Sequence, residues 1–381
     1  MKGQGPAMCA KTISKDYSIA LPAIRGVQAG KEFYVTMCPL KFLHKMFQSE
    51  ITDIPPELRA QRELNKNRVT PITRYLLDNS DNYIFSSIAA SVDSEVHFEP
   101  FGEDIVGRKI GSLSVSMDAK FVINDGQHRV AAILEALKAD PNLGAETISI
   151  VLFVDSGLGN SQQMFADLNR YAVRPTKSLS ILYDHRDPLA KLVNELVIGV
   201  YVFKGMTEKA KSSISNRSKK LFTLSSIYQA TKTFLQKSDG SEVSEEERNL
   251  SFLFWETVAN NMPDWQAAVK NQIATSELRS DYIHAHGIAL QALAIAGNSL
   301  IKAYPDTWKQ MLSKISKIDW ARENATLWEG RALVGGTLNK SQKNVTLTAN
   351  LIKQTLGLPL APHEEIVERN YLKGRNESKC L

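Results

Sequence analysis

Residues 120–140 set the tightest limit on how this chain can fold. KFVIN (120–124) is a short, apolar run that reads as a buried strand, and HRVAAILEALKAD (128–140) carries its apolar residues at helical spacing. Only Asp125-Gly126-Gln127 separates them, so strand must become helix at Gly126, a residue that takes a sharp turn because it has no Cβ. Pro141 and Gly144 end the helix, and TISIVLFVD (147–155) follows as an apolar strand. Strand, helix and strand in that order place this part of the chain among mixed α/β folds.

The flanking text fills in the rest. IALPAIRGVQAGKEFYVTMCP (19–39) reads as a β-hairpin, 40–46 as a helical turn, and Pro55-Pro56 as a break. Residues 57–78 read as one or two helices with a basic surface of Arg59, Arg62, Lys66, Arg68 and Arg74. Residues 84–101 read as a strand, with further strands near 111–117 and a helix at about 161–170 capped by Ser161. From Pro188 onward the pattern is helical, at 188–203, 223–237, 245–260, 279–303 and 305–317. The last part mixes turns with a helix at about 346–356 and a polar tail. The expected fold class is α+β. A flexible 1–18 precedes an α/β domain over 19–185, a helical domain over 186–317, and a C-terminal segment, 318–381, packed on the helices.

Composition narrows the class. Of 381 residues, 43% are hydrophobic and 23% charged, which excludes wholesale disorder and fibrous folds. The three cysteines, Cys9, Cys38 and Cys380, are far apart and support neither a disulfide framework nor a zinc site. The N-terminal text builds no signal-peptide core and no run is long enough to span a membrane, so a cytoplasmic protein is expected. The net charge of +5 is unevenly spread. Lys204, Lys209, Lys211, Arg217, Lys219 and Lys220 face only Glu208 over 204–220, and an acid-free stretch over 330–363 carries Arg331, Lys340, Lys343 and Lys353. Clustered cations among Ser and Asn residues are the footprint of a polyanion partner, though a solvated face has the same composition.

The 125–129 turn can do chemistry. A helix start offers unpaired N–H groups and the positive end of the dipole, which favour phosphate. Arg129 and His128 add donors, Gln127 can bond a base, sugar or phosphate, and Asp125 can hold Mg²⁺ or act as a base. The structural alternative is that Arg129 pairs with an acid and Gly126 only serves the turn. There is no P-loop sequence. His284-x-His286 lacks a third metal ligand at useful spacing and reads as packing, so no metal site is expected. Trp255, Trp265, Trp308, Trp320 and Trp328 read as core anchors.

DGQHR followed by VAAI resembles the signature of the DGQHR-domain family, itself distantly similar to the ParB/sulfiredoxin superfamily, in which such a junction binds nucleotide phosphates. SQQMFADLNRYAVRPTKSLSILYD (161–184) resembles that family's second block, with Phe165, Asn169, Arg170, Pro175, Lys177 and Ser178. The text over 318–360 resembles the DndB branch, found with bacterial DNA phosphorothioation (sulfur modification) systems. The likeness runs from about 20 to 370. It implies a ParB/sulfiredoxin-like lobe followed by a mainly helical lobe. A phosphate or nucleotide site is implied at Asp125, Gly126, Gln127, His128, Arg129, Asn169, Arg170 and Lys177. The turn has no cysteine, so sulfiredoxin chemistry is not expected.

The function implied is a DNA-binding repressor of the modification operon. Its partners would be double-stranded DNA at its own promoter, other proteins of the system, or a second copy of itself, and no membrane. DNA would meet Lys204, Lys209, Lys211, Arg217, Lys219 and Lys220, or Arg331, Lys340 and Lys343; the sequence does not choose between these faces. The alternative is an enzyme, a nucleoside-triphosphate hydrolase or DNA-nicking nuclease using Asp125, His128 and Arg129, with ATP or CTP and Mg²⁺.

Overall fold

A computed structural model describes residues 18–47, 64–116, 118–154, 163–164, 166–168, 170, 175–238 and 240–377. The chain divides into two compact units, Met1–Val173 and Arg174–Leu381. The class is α+β, as the sequence indicates.

The first unit is built on a seven-stranded mixed sheet. Its strands are β1 (Ser18–Gln28), β2 (Lys31–Pro39), β3 (Ile88–Val92), β4 (Val96–Pro100), β5 (Ile110–Ser116), β6 (Phe121–Asp125) and β7 (Thr147–Val154). Their order across the sheet is β4-β5-β1-β2-β7-β3-β6, antiparallel throughout except for β3 beside β7. Period-two alternation sets the register: Tyr34, Thr36 and Cys38 of β2 stand opposite Leu152, Ile150 and Ile148 of β7, and all six are buried. The helical turn α1 (Leu43–Met46) and helices α2 (Lys66–Asp78) and α3 (Gln127–Ala139) belong to the same unit. Leu76 from α2 and Val130, Ile133 and Ala136 from α3 join the sheet's apolar core. Thr73 Oγ donates to the Ala132 carbonyl, 3.3 Å away, and ties α2 to α3.

The stretch 84–101, expected as one strand, is two. Asp93 Oδ1 accepts from the Lys120 N–H at 2.8 Å, turning the chain so that β3 runs beside β7 and β6 while β4 lies at the other end, on β5.

The second unit is helical: α4 (Lys177–Tyr183), α5 (Pro188–Gly199), α6 (Leu224–Leu235), α7 (Glu245–Asn260), α8 (Pro263–Val269), α9 (Thr275–Asp281), α10 (Gly287–Ala303), α11 (Trp308–Leu312), α12 (Ala325–Trp328), α13 (Gln342–Leu356) and α14 (Pro362–Glu377). All five tryptophans are buried, four of them in rings stacked or edged against an aromatic or His284. The unit begins before the expected 185/186 boundary, because Ser178 Oγ on α4 bonds Ser225 Oγ on α6 at 3.2 Å. The helix expected over 279–303 breaks at 282–286. There His284, fully buried, donates from Nε2 to Asp264 (2.9 Å) and accepts at Nδ1 from the Trp265 indole (3.1 Å). Burial lowers its pKa, so the ring is a packed core histidine.

The expected polar tail is also corrected in large part: residues 362–377 form α14, whose Glu364 and Glu368 point inward. Among the described residues no helix is long and apolar enough to cross a membrane.

Candidate functional site

Two places bring the sequence candidates together, one in each unit. In the first, β6 ends at Asp125 and Gly126 takes φ +103°, the left-handed region. A Cβ there would lie 3.2 Å from Arg129 Nη2 and 3.3 Å from Ile88, so glycine serves both the turn and the packing. Gly126 caps α3 with no side-chain bond, leaving the first amide groups for another acceptor.

Arg129 is engaged as a structural clamp. Its Nη2 meets Asp125 Oδ2 at 2.6 Å, and Nη1 donates to the carbonyls of Ser86 (2.6 Å) and Ser87 (2.9 Å) and to Ser86 Oγ. The Arg129 side chain is only 15% exposed, whereas Asp125 is half-exposed. His128 is buried and accepts at Nε2 from the Asn65 N–H, 3.3 Å away; Gln127 is buried too. The turn opens on a cavity of about 340 Å³ lined also by Asn124, Ser86 and Arg68. Asn124 Nδ2 bonds Ser91 Oγ at 2.6 Å, while its buried Oδ1 has no partner among the described residues. The exposed Arg68 on α2 is a charged cavity residue outside the motif; its signal in the sequence is the basic run over 57–78. Of the second block, Asn169 lies outside the described residues, Arg170 is exposed, and Lys177 is the exposed first residue of α4 in the second unit.

Removing the clamp has a defined cost. Arg129→Ala strands the two carbonyls and Asp125, and is expected to lower stability by about 1–3 kcal/mol. Denaturant unfolding measures it, and Arg129→Lys should recover only the part due to the Asp125 pair.

In the second unit, residues 204–220 form a pinned loop. Two-residue strands β8 (Thr207–Glu208) and β9 (Phe222–Thr223) pair in parallel at its ends. Arg279 on α9 donates to the carbonyls of Ser215, Asn216 and Ser218, each at 3.1 Å, and to that of Lys220. Thr275 Oγ also reaches the Ser218 carbonyl, and Thr176 Oγ reaches that of Ala210. Lys204, Lys211, Arg217 and Lys219 are exposed and Lys209 half-exposed, and none bonds an acid among the described residues. Lys220 folds back, its Nζ 2.7 Å from the Gly205 carbonyl.

The 330–363 stretch divides. Arg331 is buried, paired with Glu368 through two bonds of 3.0 and 2.5 Å, and stacked on Tyr371. Lys353 is buried against Glu364 at 2.6 Å. The acids that the stretch lacks come from α14, so Arg331 is not on a DNA-facing surface. Lys343 is exposed, and Lys340 lines a cavity together with Ser212, Ser213, Ile214 and Asn216 of the basic loop. The structure thus joins the two stretches at one place. Among the described residues no group of three metal-ligating side chains is present.

Comparison with known protein families matches residues 21–359 to DndB, described as DNA-sulfur modification-associated. The chain belongs to the DndB family. The match spans both units, so the turn of the first and the basic loop of the second are parts of one DndB-type chain associated with a DNA sulfur modification system. No curated protein and no solved structure matches it.

Proposed function

We propose that this DndB-family protein is a DNA-binding regulator of the sulfur modification system, repressing its own operon by occupying the promoter. The observation that carries the reading is the pinned 204–220 loop, which holds five cations without acid partners among the described residues and shares a cavity with Lys340. A fixed backbone lowers the ordering cost of docking on phosphates, and each neutralised phosphate releases counterions.

The test replaces Lys204, Lys209, Lys211, Arg217 and Lys219 together by Gln and titrates a promoter duplex and a scrambled duplex at two salt concentrations. The expected result is a loss of affinity of at least about tenfold and a shallower salt dependence, by roughly 0.9 for each phosphate no longer neutralised. Unchanged affinity and slope would rule out this face.

A second reading rests on the half-exposed Asp125 beside the cavity with Arg68. As a nucleotide hydrolase or nicking enzyme, the protein would release phosphate with ATP or CTP and Mg²⁺, and Asp125→Ala would abolish turnover while DNA binding survived.

A further inference from the structure

The cavity that Lys340 shares with the basic loop measures about 760 Å³, within the range of about 300–1,000 Å³ usual for small-molecule sites. Its charged lining is Arg279, Arg322 and Lys340 against Glu277 alone. Three cations less one acid leave +2. Among the described residues neither arginine is paired with a carboxylate: Arg279 bonds loop carbonyls, and Arg322 bonds those of Ser280 (3.1 Å) and Gly336 (3.0 Å). Lys340 makes no hydrogen bond or ion pair among the described residues.

The position of that ammonium is the informative point. A Cβ built on Gly287 would lie 2.5 Å from Lys340 Nζ and 2.6 Å from Ser226 Oγ, so the lysine head sits directly over the first residue of α10. The preceding residue, His286, gives this helix no side-chain cap. A cation held over the positive end of a helix is repelled by it, whereas an anion would be attracted by both. Lys340 as a whole is exposed, but local desolvation of its ammonium against the cavity wall pushes it below its ordinary pKa. His286 donates from Nε2 to the Arg279 carbonyl at 2.8 Å and remains neutral, so it leaves the +2 lining unchanged.

We propose that this cavity binds the phosphate group of a small phosphorylated molecule of nucleotide size. The +2 lining matches a phosphomonoester dianion, Arg322 and Lys340 supply donors, and Gly287, having no Cβ, leaves the room in which the Lys340 head sits. A duplex is too large to enter such a cavity, so the site differs in kind from the exposed cations of the loop. Because Ser212, Ser213, Ile214 and Asn216 form one wall, occupancy would bear on the loop's hold on DNA; that consequence rests on the regulator reading, while the binding itself does not.

Calorimetric titration of the full chain with inorganic phosphate, with AMP and with a short duplex tests it. Lys340→Gln, Gly287→Ala and a surface control, Lys373→Gln, are titrated alongside, and melting temperatures establish that each variant folds. Expected are binding of phosphate and AMP by the unmodified chain and the control, and at least tenfold weaker binding in both Lys340→Gln and Gly287→Ala. Absence of binding, or binding that ignores Lys340, overturns the proposal. So does Lys340-dependent binding of the duplex without binding of phosphate or AMP. In each of those cases promoter binding, measured separately, still stands or falls by itself.

Discussion

Arg331→Ala is expected to lower the unfolding free energy by about 3–5 kcal/mol, because it leaves Glu368 charged and unpaired inside the protein. The pair is one part of a buried polar clasp between α13 and α14. Arg331 also donates to the Leu347 carbonyl at 2.8 Å, Asn350 Nδ2 bonds both the Glu364 carbonyl and Glu368 Oε2 at 3.1 Å, and Lys353 meets Glu364. Glu368→Gln is expected to cost less than Arg331→Ala, since the amide keeps an acceptor. The double change Arg331→Met with Glu368→Met removes both charges and is expected to recover most of the loss. Urea unfolding of the three proteins measures this. If Arg331→Ala instead left stability intact and weakened promoter binding, the residue would belong to the DNA face after all.

The second large effect is a loss of stability in mild acid. Burial holds the His286 imidazole down at about 4, and the positive field of Arg322 and Lys340 adds to this, while the bond to the Arg279 carbonyl opposes it. In the unfolded chain the ring titrates near its ordinary 6.5. Below that pH the unfolded chain binds a proton that the folded chain refuses, so protonation favours unfolding. Stability is therefore complete above about pH 6.5 and falls toward pH 4, by about 3 kcal/mol in all from this residue. The buried His284, also lowered, acts in the same direction. Unfolding curves at pH 7 and pH 5 should differ, and His286→Gln should shrink the difference. An identical difference in that variant would assign the acid sensitivity elsewhere.

Much of the fold is legible in the sequence because it follows apolar periodicity. The β1–β2 hairpin, β6, α3 and β7, and helices α5, α6 and α7, all lie close to where period two or 3.6 puts them. What escapes that reading is structure held by polar contacts. α14 has the composition of a solvated tail, yet it docks through Glu364 and Glu368 onto Lys353 and Arg331, which lie outside the helix itself. The break at 282–286 depends on His284 finding Asp264 and the Trp265 indole, partners no local pattern reveals.

At the candidate sites the same limit applies. The turn geometry at Gly126 is legible, but the saturation of Arg129 depends on Ser86 and Ser87, which its own motif does not contain. Lys340 is too distant in sequence from Ser212, Ser213, Ile214 and Asn216 for a charge count to place them in one cavity.

The strand order has a consequence for how the protein is made. β7 alone joins the group β4-β5-β1-β2 to the pair β3-β6, and it is the last strand of the sheet to leave the ribosome. Until it arrives, β2 and β3 each present an open row of backbone N–H and C=O groups, the template on which strands of other chains add. The first unit therefore passes through an interval of exposure during synthesis that only residues 147–154 can end. A ribosome stalled upstream of them would hold two half-sheets prone to join with those of a neighbouring nascent chain.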